Sequence, residues 1–142
     1  MERHCPACGQ INRIPWNRVG DTAKCGACKA ALPPISDPIE VGDAEFDAIT
    51  SSVKIPILVD FWAAWCGPCR TAAPLVKEVA HALAGRALVL KVDTDKHKRA
   101  AARFNVQGIP NFLIMKEGKL VNQQAGVVPA SQMQRWLVTA GA

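Results

Sequence analysis

The sequence predicts an α/β sandwich around a mixed central β-sheet, with a small separate unit at its amino end. Three observations predict it. The chain has 142 residues, which suits one domain of about 100 residues plus an appendage. From residue 39 onward the apolar pattern switches repeatedly between the period of a buried strand and that of a helix. Ahead of that region, four of the six cysteines fall within the first 28 residues, among few apolar side chains. Apolar residues make up 49 % and charged residues 20 %, which excludes disorder for most of the chain. Asp60 stops the apolar run Ile55-Pro56-Ile57-Leu58-Val59, and no run reaches the roughly 18 residues of a membrane span. Met-Glu-Arg-His-Cys lacks the basic and apolar pattern of a secretory leader, so the expected location is cytoplasmic, with no membrane partner. The net charge of +5 is evenly spread. The basic stretch Lys96-His97-Lys98-Arg99 has no aromatic neighbours and reads as a solvated helix start, so no nucleic-acid partner is expected.

Every cysteine belongs to a Cys-x-x-Cys pair. The first two pairs give Cys5-x2-Cys8-x16-Cys25-x2-Cys28, the spacing of a zinc ribbon. Two knuckles at that spacing let four thiolates converge on one Zn²⁺, and Gly9 and Gly26 suit their tight turns. A segment this short has little else to fold around, and four thiolates leave no open position, so the metal is read as structural. Iron in a rubredoxin-like site would use the same ligands. Trp16, Ile11 and Ile14 are expected to form the ribbon's core, and His4 is a spare candidate ligand. Residues 1–31 are thus assigned to the ribbon. Residues 32–38, with Pro33, Pro34 and Pro38, form an extended linker.

Residues 39–142 follow as the main domain, in the order β-α-β-α-β-α-β-β-α. Residues 39–41 form a short edge strand. Asp43 is placed to cap a helix through Phe46 and Ile49. Residues 57–62 are nearly all apolar and read as a strand buried on both faces. Leu75, Val76, Val79, Ala80 and Leu83 recur at helical spacing over residues 68–84, with Pro68 in the first turn and Pro74 kinking the interior. Residues 87–92 form a second buried strand, and residues 98–104 a short helix. Residues 112–115 and 120–124 flank the hairpin turn Glu117-Gly118-Lys119. A last helix over residues 130–139 puts Met133, Trp136 and Leu137 on one face.

Ligand chemistry in such a fold belongs at the carboxyl end of a central strand, where the third cysteine pair sits. Cys66 lies at a helix start, where free N–H groups favour a thiolate, and Cys69 lies one turn inward. Cys66 can attack a partner's disulfide and Cys69 can then resolve the mixed disulfide. Asp60, inside an apolar strand, is expected to be buried, with a raised pKa that suits a general base for Cys69. Lys91 on the neighbouring strand either pairs with it or faces solvent.

The segment Val59-Asp60-Phe61-Trp62-Ala63-Ala64-Trp65-Cys66-Gly67-Pro68-Cys69 resembles the active-site stretch of the thioredoxin family. Gly108-Ile109-Pro110 resembles its cis-proline loop, and Gly118 and Gly126 match its structural glycines. The resemblance spans residues 39–142. With the four-cysteine extension, the chain is similar to the second bacterial type of the family, which carries a zinc-binding segment. The resemblance implies a thioredoxin fold and a general protein-disulfide reductase, served by thioredoxin reductase and, through it, NADPH. Cys66 would be the nucleophile, Cys69 the resolving thiol, Asp60 the proton acceptor and Lys91 its partner. Pro110 would be cis, with Ile109 offering its backbone to a substrate peptide beside Trp65, Gly67 and Pro68. Disulfide-containing proteins are the implied substrates of what would be a monomer. Asn111, Arg70 and Thr71 depart from the common family residues, which alters the surface near the disulfide. Two other readings stand beside this one: a thiol oxidase or isomerase on the same fold, and a zinc-ribbon binding module with a scaffold domain. Gly67-Pro68 weighs against the first, and the set Asp60, Cys66, Cys69 and Pro110 against the second.

Overall fold

The computed structural model describes all 142 residues. The amino-terminal unit is two antiparallel hairpins. Glu2–His4 (β1) pairs with Ile11–Arg13 (β2), and Ala23–Lys24 (β3) with Ala31–Leu32 (β4). Each hairpin turns through one Cys-x-x-Cys pair, and the turns repeat one another. Cys5 N–H donates to the Gln10 carbonyl at 2.9 Å and Gly9 N–H to the Cys5 carbonyl at 2.8 Å. The second turn has Cys25 to Ala30 at 2.8 Å and Lys29 to Cys25 at 3.0 Å. The residue after each second cysteine is left-handed, Gly9 at φ +78° and Lys29 at φ +66°. The turn freedom assigned to Gly26 thus belongs to Lys29; Gly26 instead donates its N–H to Asn12 Oδ1 at 3.0 Å. Strand β4 takes in Leu32, the first residue of the expected linker. Its buried side chain closes the unit's core with Cys5, Cys25 and Ile14.

The main domain holds a five-stranded sheet. Its strands are Ile39–Glu40 (β5), Ile57–Trp62 (β6), Leu88–Asp93 (β7), Asn111–Lys116 (β8) and Lys119–Ala125 (β9). They lie in the order β5-β7-β6-β8-β9, with β5, β7 and β6 parallel and the last two antiparallel. Side-chain alternation sorts the core into two layers. Ile57, Val59 and Phe61 meet Phe46 and Ile49 of Asp43–Ser52 (α1) and Ala100 of Arg99–Arg103 (α3). Leu58, Phe112 and Ile114 meet Ala72, Val76 and Val79 of Gly67–Ala82 (α2), with Met133 and Leu137 of Ala130–Thr139 (α4). The β8–β9 turn takes positive φ at Glu117 (+51°) and Gly118 (+79°), the two-residue hairpin turn that matches strand twist. Asp43 does not cap α1. Gly42 holds that position, and Asp43 accepts the Ala100 N–H at 3.0 Å and the Arg99 N–H at 3.3 Å, so it caps α3 from a distance.

The expected ribbon core is also redrawn. Trp16–Arg18 forms a 3-10 turn, and Trp16 and the buried Val19 pack into the α1 layer of the main domain, while Ile11 is exposed. Gly20, at φ +102°, comes within Cβ reach of Ile55 and the Gly85 carbonyl. Ile55 precedes β6 and Gly85 precedes β7, so the ribbon docks at the amino ends of the parallel strands.

Candidate active site and metal centre

Strand β6 delivers the chain through Ala63, Ala64 and Trp65 to Cys66, which caps α2. Cys66 and Cys69 are joined as a disulfide, their Cα atoms 5.2 Å apart. The Cys66 sulfur accepts the Cys69 backbone N–H at 3.2 Å, one of the free donors of the first helical turn. Gly67 and Pro68 occupy the first two helical positions, where the missing proline N–H breaks no bond. The Cys66 sulfur lies 3.6 Å from the Ile109 carbonyl, and the Ile109–Pro110 peptide is cis. Ile109 and Trp62 pack on the small cluster of Ala63, Cys66 and Cys69. Trp65 is 67 % exposed, with its indole N–H donating to Asp95 at 3.3 Å. The disulfide is itself nearly buried, Cys66 beside the Ile109 carbonyl and Cys69 behind it, and the exposed Trp65 ring immediately precedes it in the chain.

Asp60 precedes this pair on strand β6. It shares its side of β6 with Leu58, facing α2, and is 1 % exposed. Burial pushes its carboxyl up to about 7, Lys91 opposing and Glu40 adding to the rise. Its Oδ1 is buried with no hydrogen-bond partner. Lys91 stands opposite Asp60 in the β6–β7 register but does not form an ion pair with it. Its ammonium sits 4.0 Å from Glu40 and 4.7 Å from the centre of the Trp62 ring. Asp60 and Lys91 are thus register partners with no direct ion pair between them, and the Lys91 ammonium is turned to Glu40. Glu40 was legible only as an edge-strand residue, and the register supplies its link to the site.

The ribbon brings its four cysteines together. All four sulfurs lie within 4.8 Å of one another, with Cys5 to Cys28 at 3.6 Å and Cys8 to Cys25 at 3.7 Å. Four thiolates at roughly 2.3 Å from a central Zn²⁺ would sit about 3.8 Å apart, so the cluster fits that ion and is too open for disulfides. Backbone N–H groups turned toward the sulfurs lower the Cys5 thiol, through Cys8 first, and those of Cys28, then the Asn12 side chain, bring Cys25 down to about 6. Against the lowering from Gln10, the neighbouring cysteine sulfurs and burial push Cys8 up to about 12, so among themselves the four sulfurs share their negative charge unequally. Thiolate is the ligand form. His4 is exposed on β1 and adds nothing to the set.

A family profile described as Thioredoxin matches residues 37–139. The chain belongs to the thioredoxin family. A second profile, for the amino-terminal zinc ribbon described as Thioredoxin 2, N-terminal, matches residues 4–30. Thioredoxin C-3 of Corynebacterium nephridii is 35 % identical over 133 residues, covering 94 % of this chain and 90 % of that one. The thioredoxin of Haemophilus influenzae is 37 % identical over 103 residues, covering 72 % and 96 %. Among solved structures, a mutant thioredoxin from Halobacterium salinarum aligns with a TM-score of 0.71 at 28 % identity, covering 78 % of this chain and 96 % of that one.

The protein is a thioredoxin-type disulfide reductase, with a disulfide-capable Cys66–Cys69 pair and a zinc-ribbon unit. Thioredoxins act on disulfide-containing proteins and are served by reductase partners. The ribbon profile and the sulfur cluster point to zinc as the bound ion. No helix is long and apolar enough to cross a membrane. One departure from the common thioredoxin residues changes its meaning. Asn111 is buried, not part of the surface near the disulfide, and accepts a hydrogen bond from Gln123 at 3.2 Å, tying β8 to β9.

Proposed function

We propose that this thioredoxin is a monomeric cytoplasmic reductase that carries electrons from an NADPH-fed thioredoxin reductase to client disulfides. The client segment lies extended along Ile109 and Pro110, flanked by Trp65, Gly67 and Pro68. The Cys66 thiolate attacks one client sulfur, forming a mixed disulfide and releasing the other client sulfur as a thiolate. Asp60 takes the proton of Cys69, and Lys91 tunes Asp60 through space. The Cys69 thiolate then attacks the Cys66 sulfur, which frees the second client thiolate and leaves the Cys66–Cys69 disulfide. The client gains two electrons and the reductase restores them. Cys5, Cys8, Cys25 and Cys28 hold one structural Zn²⁺ that anchors the ribbon. Residues 1–31 act as the ribbon, 32–38 as the linker and 39–142 as the catalytic domain.

The observation that carries this reading is the Cys66–Cys69 pair at the start of α2, its outer sulfur held by a helix N–H beside the Ile109 carbonyl. The test is the reduction potential of the pair, measured by equilibration in a thiol redox buffer. The expected value is near that known for thioredoxin, about −270 mV, and a value near the roughly −120 mV of a strong oxidant would make the protein a disulfide donor. Cys69→Ser is expected to accumulate the mixed disulfide at Cys66, and Cys66→Ser to form none.

A further inference from the structure

The sheet register places three charged side chains in one row. Glu40 of β5 is the partner of Lys91 of β7, and Lys91 is the partner of Asp60 of β6. The three residues therefore project from the same face of neighbouring parallel strands, with the cation between two carboxylates. A lysine so placed can serve either acid. Its ammonium turns to Glu40, at 4.0 Å, and lies over the Trp62 ring. Glu40 fixes that ring as well, accepting the Trp62 indole N–H on its other oxygen at 3.3 Å. Glu40, Trp62 and Lys91 thus close a triangle at the rim, while Asp60 Oδ1 inside has no partner.

We propose that Glu40 is a positioning residue: it holds the Lys91 ammonium at the rim of the sheet, away from the Asp60 carboxylate. The physical reason is a competition between solvation and attraction. The Lys91 side chain is 19 % exposed and keeps some hydration beside Glu40, which it would lose by turning inward to Asp60. The consequence follows from base strength. A carboxylate neutralised by an adjacent ammonium is a weak base, whereas one left alone in an apolar strand holds a proton near neutral pH. This inference rests on the reading of Asp60 as the proton acceptor for Cys69.

The groups facing Asp60 are few. Lys91 comes from β7, with Asp93 two residues further along, and Glu40 from β5. Helix α2, which packs on this face, begins with the Cys66–Cys69 pair and presents Ala72, Val76 and Val79, none of which titrates. Strand β8 places Phe112, which does not titrate, directly opposite Asp60, while Asn111 pairs with Phe61 on the other face. The α4 residues of that layer, Ala130, Met133 and Leu137, are also uncharged.

The test follows the Asp60 carboxyl by carbon NMR across pH in the full-length, reduced, zinc-loaded protein. Glu40→Gln keeps an acceptor for Trp62 and is expected to lower the Asp60 midpoint by about one pH unit, since Lys91 becomes free to turn inward. Glu45→Gln removes a nearby acid outside the row, whose carboxylate accepts the Gly42 N–H, and is expected to leave the midpoint unchanged. Lys91→Met is expected to raise the midpoint and to abolish most of the effect of adding Glu40→Gln. No shift in Glu40→Gln would overturn the proposal. So would an equal shift with and without Lys91, because Glu40 would then act by its own charge alone. If the midpoint moves but the pH profile of disulfide reduction does not follow, the hold of Glu40 on Lys91 stands and the proton-acceptor reading of Asp60 fails.

Discussion

Replacing Asp60 by Asn measures what it costs to bury that carboxylate. Asp60 is 1 % exposed and titrates at about 7 instead of its ordinary 3.8. At about 1.4 kcal/mol for each tenfold, the native state disfavours the anion by about 4 kcal/mol. The sign follows from proton counting. Between 3.8 and about 7 the unfolded chain is ionised while the native state keeps its proton, so the native state binds one more proton. Stability therefore falls as pH rises through this window, by about 1.4 kcal/mol per pH unit, and the loss is complete above the native midpoint. Asn cannot ionise, so the variant lacks this slope. Asp60→Asn is expected to exceed the parent by about 2 kcal/mol at about pH 5 and by about 4 kcal/mol at about pH 8.5, a rise in Tm of about 10 °C. The assay is guanidinium unfolding of the oxidised, zinc-loaded protein at a series of pH values. Parallel stability curves for the two proteins would refute the reasoning, because Asp60 would then titrate alike folded and unfolded.

Three further outcomes test the ribbon. Trp16→Ala removes a half-buried ring from the interface with the α1 layer and is expected to destabilise the protein by about 2–3 kcal/mol, read as a lowered Tm, with disulfide reduction unchanged at temperatures below it. Removing zinc with a chelator under reducing conditions is expected to unfold the hairpins while Cys66 and Cys69 still reduce a test disulfide. Peroxide is expected to eject about one zinc per chain as disulfides form among Cys5, Cys8, Cys25 and Cys28. Zinc retained at doses that fully oxidise Cys66 would exclude such oxidative release.

The legible parts of the fold are those decided by local pattern. Residues 57–62 could be read as a central strand because five of the six side chains are apolar, and residues 130–139 as a helix because its apolar face repeats at 3.6 residues. The two Cys-x-x-Cys knuckles were legible for the same reason: their chemistry is fixed by spacing. What sequence hid are choices between distant partners. Asp43 sits where a cap belongs, yet its carboxylate serves α3, more than 50 residues away in sequence. Trp16 reads as a core residue of the unit that contains it, but the larger apolar surface of the α1 layer claims it. Lys91 has an acid opposite it on each neighbouring strand, and its turn toward Glu40 and the Trp62 ring is a choice between distant partners that no local pattern shows. Asn111 follows the cis-proline and reads as surface, but Gln123 on the adjacent strand covers it.

The position of the ribbon limits what it can do for catalysis. It docks where β6 and β7 begin, while Cys66 follows the end of β6, and a six-residue strand spans about 20 Å. A disulfide needs Cα atoms within about 7 Å, so Cys66 cannot reach a ribbon cysteine of its own chain without the domain coming apart. The Gly20 contact with Ile55 and Gly85 lies at the end of β6 opposite the one that leads to Cys66. Any influence on client choice must therefore come from a client long enough to touch both ends of the domain, or from the stability the ribbon lends through Trp16 and Val19. It follows too that ribbon disulfides formed by an oxidant must be reduced by a second copy of the protein or by another reductant. Recovery of an oxidised ribbon by thioredoxin itself should then depend on protein concentration, whereas the attack of Cys69 on a mixed disulfide at Cys66, which takes place within one chain, should not.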